Sequence, residues 1–460
     1  MKTINYARLC ALFLLLVLGA SACTDAPAPQ QPDMHGVSED DKTISLDMWI
    51  ISNDQKQYHD LLEVLQPYLD ANPDLTLQIK VLDWAPAWST IVKAVAEDEG
   101  PDILQLGTTW VPAIAAMGGL ADLSPLVDDI GGSEAYLPSS WQTTGILGDP
   151  KVYAVPWYAD ARAVYYRTDA FEKAGVDPDR AFADWTSFRE AMHQVNGTEI
   201  DGTVMHAIGI PGNQDWDVMQ NFFPWIWGAG GDVLTADSKE AALNSEAALQ
   251  GILHYISLVE EDLVDPTSLD KNSRQAEDDF AEGKSAVIIS GPWLASRLAT
   301  PEEQGGQAES PAAEHYAIAP IPAGPVGRAT FVGGSNLSIL HNSNRKQEAW
   351  ELIRYLSSAE AQASYSAVTG FLPARQEVFD AAAENEPGTA VAAFATAVSY
   401  GRTFPSLPEW GAIETTLVNR FSAIWDLVVE ESSYNEERIR AELDDAVEEV
   451  NSILEQYHQQ

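Results

Sequence analysis

VYAVPWYADARAVYYRTDAFEKAGV, residues Val152–Val176, decides how the chain is read. It opens as a strand, with Val152, Ala154 and Pro156 on one side and Tyr153 and Val155 on the other, because side chains alternate across a strand. Pro156 has no N–H to give a ladder and is expected to halt regular pairing. Trp157 and Tyr158 follow at once, with Asp160 and Arg162 beside them. A second strand, Ala163–Arg167, leads into a short helix around Asp169–Ala174 that Gly175 closes. A strand that stops, presents aromatic and charged side chains and restarts is a way for a chain to cross between two lobes beside a cleft. A buried, proline-kinked edge strand is the plainer reading of the same residues.

The flanks explain what such a crossing would join. Upstream, Ile44, Leu46 and Met48 alternate with Ser45 and Asp47, a strand. A helix follows with Tyr58, Leu61, Leu62, Leu65 and Leu69 on one face. Leu75, Leu77, Ile79 and Val81 alternate in a second strand, a helix runs through Ile91–Ala96, and Asp102–Leu106 is a third strand. Strand, helix, strand, helix, strand indicates a parallel α/β sheet with right-handed crossovers. Ligands in such sheets sit beyond the carboxyl ends of the strands. Those ends hold Asn53, Asp83 with Trp84, and Gly107-Thr108-Thr109-Trp110, all aromatic or short and polar.

Six positions of the central stretch, Pro156, Asp160, Tyr166, Phe171, Lys173 and Gly175, fit the spacing P-x-x-x-D-x-x-x-x-x-Y-[ND]-x-x-x-F-x-K-x-G. That pattern resembles the hinge of family 1 extracellular solute-binding proteins, the sugar-capturing, maltose-binding-protein-like components of ABC importers. Arg167 stands where Asn or Asp is usual, and Trp157 where a small aliphatic residue is common. Further segments resemble the family in order: Gly100-Pro101-Asp102, Asp184-Trp185-Thr186 without the usual Pro, QNFFPWIWGAGGDVL, FAEGKSAVIISGPW ending at Trp293, the amphipathic helix Asn344–Ser357, and Gly370–Arg375. Together they run from Thr43 to Tyr457.

The resemblance implies a periplasmic-binding-protein-like α/β fold of two discontinuous α/β lobes joined by a hinge, with the ligand cleft between them. Residues 43–158 plus 291–342 would form the first lobe, and residues 159–290 plus 343–460 the second, with crossings near Trp157–Ala161, Ser290 and Asn342. It implies a monomeric binding protein, not an enzyme, that hands a mono- or oligosaccharide to the permease subunits of an ABC transporter, with no cofactor, metal or catalytic residue. Tyr158 and Asp160 match positions that contact sugar in such proteins. Trp110, Trp227, Trp293 and Trp410 are the stacking candidates. Asn53, Thr108, Asp160, Arg375 and the backbone of Gly334-Ser335 are candidates for hydroxyl contacts, and Asp83, Trp157 and Trp216 complete the expected ligand-binding set.

Composition agrees with an extracytoplasmic sugar receptor and narrows its partners. Sixty-nine acidic residues against 26 basic ones give a formal charge of −43, which argues against nucleic acid or anionic lipid surfaces. The acid is spread along the chain, as in a solvated shell; adaptation to high salt, where screening shortens repulsion to about 3 Å at 1 M, and a plain acidic protein explain it equally. Fourteen tryptophans tip the ligand towards carbohydrate. Aromatic faces take the C–H patch of a pyranose, and Asp, Asn, Arg and Gln take its hydroxyl rim. An aromatic core would give the same count.

Residues 1–22 read as a secretory signal: Lys2 and Arg8 precede the apolar run Leu9–Leu18, which is too short to span a bilayer, and Gly19-Ala20-Ser21-Ala22 follows. Cys23 then resembles a lipobox cysteine, with Ala20 where Leu is usual, so lipidation of Cys23 and ordinary cleavage after Ala22 both stand. Residues 23–42 are Pro-, Gln- and Asp-rich, a disordered tether reaching on the order of 25 Å from the cell envelope. With only Cys10 and Cys23 present, no disulfide can staple the lobes. The sequence carries no G-x-S-x-G, H-E-x-x-H, G-x-x-x-x-G-K-[ST] or D-x-D-x-D-G motif. The competing class is a secreted glycoside hydrolase, which needs two carboxylates about 5–10 Å apart; Asp160 with Asp83 or Asp215 could serve. A third reading keeps the fold and changes the ligand to a polyol or a glycerol phosphate.

Overall fold

The first lobe is built by the alternating segments at the start of the chain: β1 (Ile44–Ile51), α1 (Lys56–Ala71), β2 (Leu75–Leu82), α2 (Trp84–Ala96), β3 (Ile103–Gly107) and α3 (Val111–Ala116). A computed structural model describes residues 44–52, 56–212, 216–385, 389–430 and 435–458. The signal segment, the tether, Cys23 and Asn53 lie outside these residues. β1 pairs in parallel with β2 and with β3. Leu46, Met48 and Ile50 point inward from β1 onto Leu61, Val64 and Leu65 of α1, the burial that the period-two and helical patterns dictate.

α4 (Pro138–Trp141) leads to β4 (Val155–Ala161), and one residue further on β5 (Ala163–Arg167) opens the second sheet. Then come α5 (Thr168–Ala174), closed by Gly175 in the left-handed region, α6 (Pro178–Ala181), and α7 (Trp185–Val195), capped by Asp184 accepting from the Ser187 N–H. A small hairpin, β6 (Glu199–Ile200) and β7 (Thr203–Val204), precedes β8 (His206–Gly209), α8 (Trp216–Gly228), α9 (Glu246–Glu260), α10 (Ser273–Ala281), β9 (Ser285–Ser290), α11 (Trp293–Ala299) and β10 (Tyr316–Ala319). The second sheet has the order β10-β5-β9-β8.

The chain then returns. β11 (Thr330–Ile339) runs antiparallel between β3 and β4, giving the first sheet the order β12-β4-β11-β3-β1-β2. After it come α12 (Lys346–Leu356), α13 (Ala359–Thr369), β12 (Leu372–Pro373), α14 (Gln376–Asn385), α15 (Ala390–Val398), β13 (Gly401–Arg402) beside β11, α16 (Trp410–Glu430) and α17 (Glu436–His458). α16 and α17 close the core of the second lobe through Ile413, Leu417, Phe421, Ile439, Leu443 and Val450.

Two lobes with several crossings are therefore present, but the boundaries differ from the expected ones. α12 and α13 belong to the first lobe: Ala349, Leu352, Ile353, Leu356 and Tyr365 pack with Leu46, Leu61 and Ile339. β10, expected in the first lobe, pairs with β5 in the second sheet. An amphipathic pattern reports that a face is buried and not which sheet covers it. Pro156 does not halt pairing either. It sits inside β4 opposite Asn336, next to a bulge between Ser335 and Asn336 that absorbs the missing donor.

Candidate functional site

β4 and β11 form the floor where the lobes meet. Asp160 lies opposite Gly333 and Tyr158 opposite Ser335. The strands pass so closely that a Cβ on Gly334, at φ +134°, would lie 2.2 Å from the Tyr158 carbonyl oxygen. Beneath them Gln105 of β3 ties three strands together. Its Oε1 accepts from the Ile51 N–H at 2.9 Å, and its Nε2 donates to the Tyr158 and Ser335 hydroxyl oxygens, each at 3.0 Å. Burial raises the Tyr158 pKa, so the phenol stays neutral.

The second-lobe side is a charged and aromatic cluster. Arg162, 4 % exposed, donates to Asp160 at 3.2 Å, to Asp217 of α8 at 2.5 Å, and to Gln220. Burial pushes the Asp160 pKa up; Arg162 opposes that shift and Asp217 adds to it. The Arg162 guanidinium sits 4.8 Å from the centroid of the Trp293 ring. That ring folds back over Gly291, where a Cβ would lie 2.0 Å from it. The Trp293 N–H donates to Glu277 Oε1 at 2.7 Å, and Arg297 holds the other oxygen of Glu277. Asp160 and Trp293 are thus a carboxylate and an aromatic ring that both contact one guanidinium.

The first-lobe side is aromatic. Trp84 and Trp88 each lie 5.4 Å from Trp110, and both are only part-buried. Thr109 reaches across the seam, its hydroxyl donating to Glu414 of α16 at 3.0 Å. A cavity of about 570 Å³ opens elsewhere, between α4 and α14–α15, lined by Leu137, Gln142, Phe379 and Arg402; Asp160 is not part of it.

Residues 56–363 match the family described as bacterial extracellular solute-binding protein. The chain belongs to that family. This solute-binding protein is 26% identical over 383 residues to the diacetylchitobiose binding protein DasA of Streptomyces coelicolor, covering 80% of this chain and 82% of that one. It is 22% identical over 369 residues to the maltodextrin-binding protein MdxE of Bacillus subtilis, covering 78% of each. Its fold matches an ABC transporter solute-binding protein of Thermotoga lettingae bound with α-D-tagatose, with TM-score 0.77 at 22% identity over 89% of this chain and 100% of that one. It also matches maltose-bound MalE3 of T. maritima, with TM-score 0.75 at 22% identity over 90% and 99%.

Within this solute-binding protein the candidates from the sequence fall into three groups. Asp160, Trp293, Tyr158, Gly334 and Ser335 converge on the floor and its second-lobe side, and Thr108 adjoins them, its N–H donating to the Gly334 carbonyl. Four tryptophans lie in packed surroundings: Trp157 stacks on Tyr365 at 4.6 Å, Trp110 lies against Trp84 and Trp88, Trp410 stacks on Phe404 at 4.8 Å, and Trp227 donates to Asp232. Trp157 and Tyr158 are not presented to solvent as the sequence suggested, because α13 and Phe371 cover them. Arg375 points to the carbonyls of Ile130 and Ser357 in the first lobe, and Asp83 is exposed just ahead of α2. Asn53, Cys23 and the Trp216 side chain lie outside the described residues.

Gln105, Asp217, Glu277 and Glu414 were absent from the expected set. Arg162 had no assigned role in that set. Gln105, Asp217 and Glu414 acquire their places through partners more than 50 residues away in sequence, and Glu277 through Ser290, Trp293 and Arg297 on the next strand and helix. A lone Gln amid the apolar strand Ile103–Gly107 was the one available signal.

Proposed function

We propose that this protein captures a carbohydrate, a mono- or oligosaccharide, between its lobes and delivers it to the permease subunits of an ABC importer. The observation that carries this reading is the Asp160–Arg162–Trp293 arrangement at the crossing between the two sheets. A pyranose offers hydroxyls at its rim and C–H groups on its face; a fixed carboxylate accepts from the first, and an indole ring packs on the second. Membership of the extracellular solute-binding family supports the delivery step, and the named relatives that bind diacetylchitobiose and maltodextrin support the ligand class.

The binding reading is favoured over hydrolysis by the way the carboxylates are used. Asp160 and Asp217 share one guanidinium, and Glu277 is held by Arg297, Ser290 and Trp293, so each of these carboxylates is committed to a partner within the protein. The same pairing of Arg162 favours an uncharged ligand over a phosphorylated one. Trp84, Trp88 and Thr108 are assigned to the first-lobe and floor contacts, with Asp83 as an outer contact; Tyr158, Trp157, Trp110, Trp227 and Trp410 are buried and are assigned to packing. Cys23 is assigned as the lipidated N-terminus that holds a monomeric receptor at the outer face of the membrane. Among the described residues no helix is long and apolar enough to cross a membrane.

A thermal-shift screen over neutral sugars, polyols and glycerol phosphate tests the reading, because a ligand that binds the native state raises the melting temperature. A sugar that raises it without being consumed supports the proposal. Turnover of the sugar, or a response to glycerol phosphate alone, contradicts it.

A further inference from the structure

Glu414 belongs to α16, which is built into the second lobe through Trp410, Ile413, Leu417 and Phe421. Its carboxyl nevertheless meets the first lobe, accepting from the Thr109 hydroxyl at 3.0 Å and bonding with the side chain of Trp110. One turn earlier Trp88 of α2 lies against Gly411, where a Cβ would come within 3.1 Å of the indole. The carboxyl is 2 % exposed, and no described cation pairs with it. Burial pushes its pKa up to about 7, against the pull of Thr109 and Trp110.

The charged groups on the elements packed against it do not offset this. α2 carries Lys93, exposed and beside Glu97. α3 and the turn before it carry none. Asp217 of α8 is held by Arg162. On α16 itself, Glu409 lies just before the helix, Arg420 is turned to Glu442, Asp445 and Glu449 of α17, and Asp426 and Glu430 lie turns away. α9 adds Glu246, His254 and Glu260; Arg440 of α17 pairs with Glu246.

We propose that Glu414 is a proton-operated latch between the lobes. Its neutral carboxyl is retained in the closed seam, and its ionised form favours the open arrangement in which water reaches it. The uncompensated burial of a carboxylate is the driving force. An acid with an ordinary pKa when open and a pKa of about 7 when closed weakens closure about tenfold per pH unit between those values and no further above them. The effect of the latch on ligand affinity rests on the sugar-binding reading; the latch itself does not.

The test therefore uses no sugar. In the full chain with Cys10→Ser and Cys23→Ser, labels placed by Lys93→Cys on α2 and Lys239→Cys in the second lobe, both exposed sites, report the interlobe distance by pulsed electron spin resonance. The wild-type background is expected to give a short distance at pH 5 and a longer population that grows more than tenfold by pH 8.5. Glu414→Gln should keep the short distance at both values, and Thr109→Val should lengthen it even at pH 5. Identical distributions at pH 5 and pH 8.5 in the wild-type background overturn the proposal. So does an unchanged pH response in Glu414→Gln, and Thr109→Val supplies the comparison should that variant not fold.

Discussion

The Trp293 indole N–H donates to Glu277 Oε1 at 2.7 Å, and the same oxygen accepts from the Ser290 hydroxyl at 2.6 Å. One buried carboxylate thereby fixes the ring that faces Arg162 and the end of β9 that leads to it. Burial raises the Glu277 pKa, and Arg297 opposes the rise by holding the other oxygen. Glu277→Ala leaves Arg297 paired with Asp278 alone and strands the Ser290 hydroxyl and the Trp293 N–H, and should cost about 1–3 kcal/mol of stability. Glu277→Gln keeps the volume and should cost less. Urea unfolding of both variants checks the order.

Gln105 satisfies the Ile51 N–H and both hydroxyls of the hinge floor, so its loss strands several buried groups at once. Gln105→Leu should destabilise by about 2 kcal/mol or more, whereas Tyr158→Phe, which removes one partner, should cost about 1 kcal/mol. Equal effects in denaturant unfolding would show that the network does not act through Gln105.

Gly334 has no room for a side chain. Gly334→Ala must move the Tyr158 carbonyl or abandon φ +134°, and either change pulls β11 away from β4. The expected cost is about 3 kcal/mol, with weakened sugar binding, measurable by thermal melting and titration.

His254 stacks on Trp185 at 4.3 Å, and burial lowers its pKa to about 4. The unfolded chain takes up that proton near pH 6.5 and the folded one does not. Stability from this group is therefore present above about pH 6.5 and lost as pH falls towards 4, by about 2 kcal/mol after allowance for partial exposure. His254→Phe should flatten the acid limb of the stability profile. An unchanged limb assigns it to other groups.

How much of this was legible in the sequence depends on the range of the interaction. β1, β2 and β3 announce themselves by alternation, and Gly175 ends α5 where a left-handed residue was needed. Pro156, Asp160 and Gly291-Pro292-Trp293 marked the crossing and its aromatic neighbour. The return of α12 and α13 to the first lobe was not legible, because Leu352 and Ile353 would look the same against either sheet. The Gly333-Gly334 pair has the composition of a strand break, yet it lies within β11: the glycines permit the close approach of β4 and do not break the strand. The link from Arg162 to Asp217, 55 residues apart, has no local signature.

The central claim is that a sugar binds between the lobes against Asp160 and Trp293. Isothermal titration calorimetry of the wild type, Asp160→Ala and Trp293→Ala, with the sugar that gives the largest thermal shift, tests it most directly. One site per chain is expected in the wild type, with each variant folded and weakened by about 1–3 kcal/mol. Wild-type affinity in both folded variants would contradict the assignment.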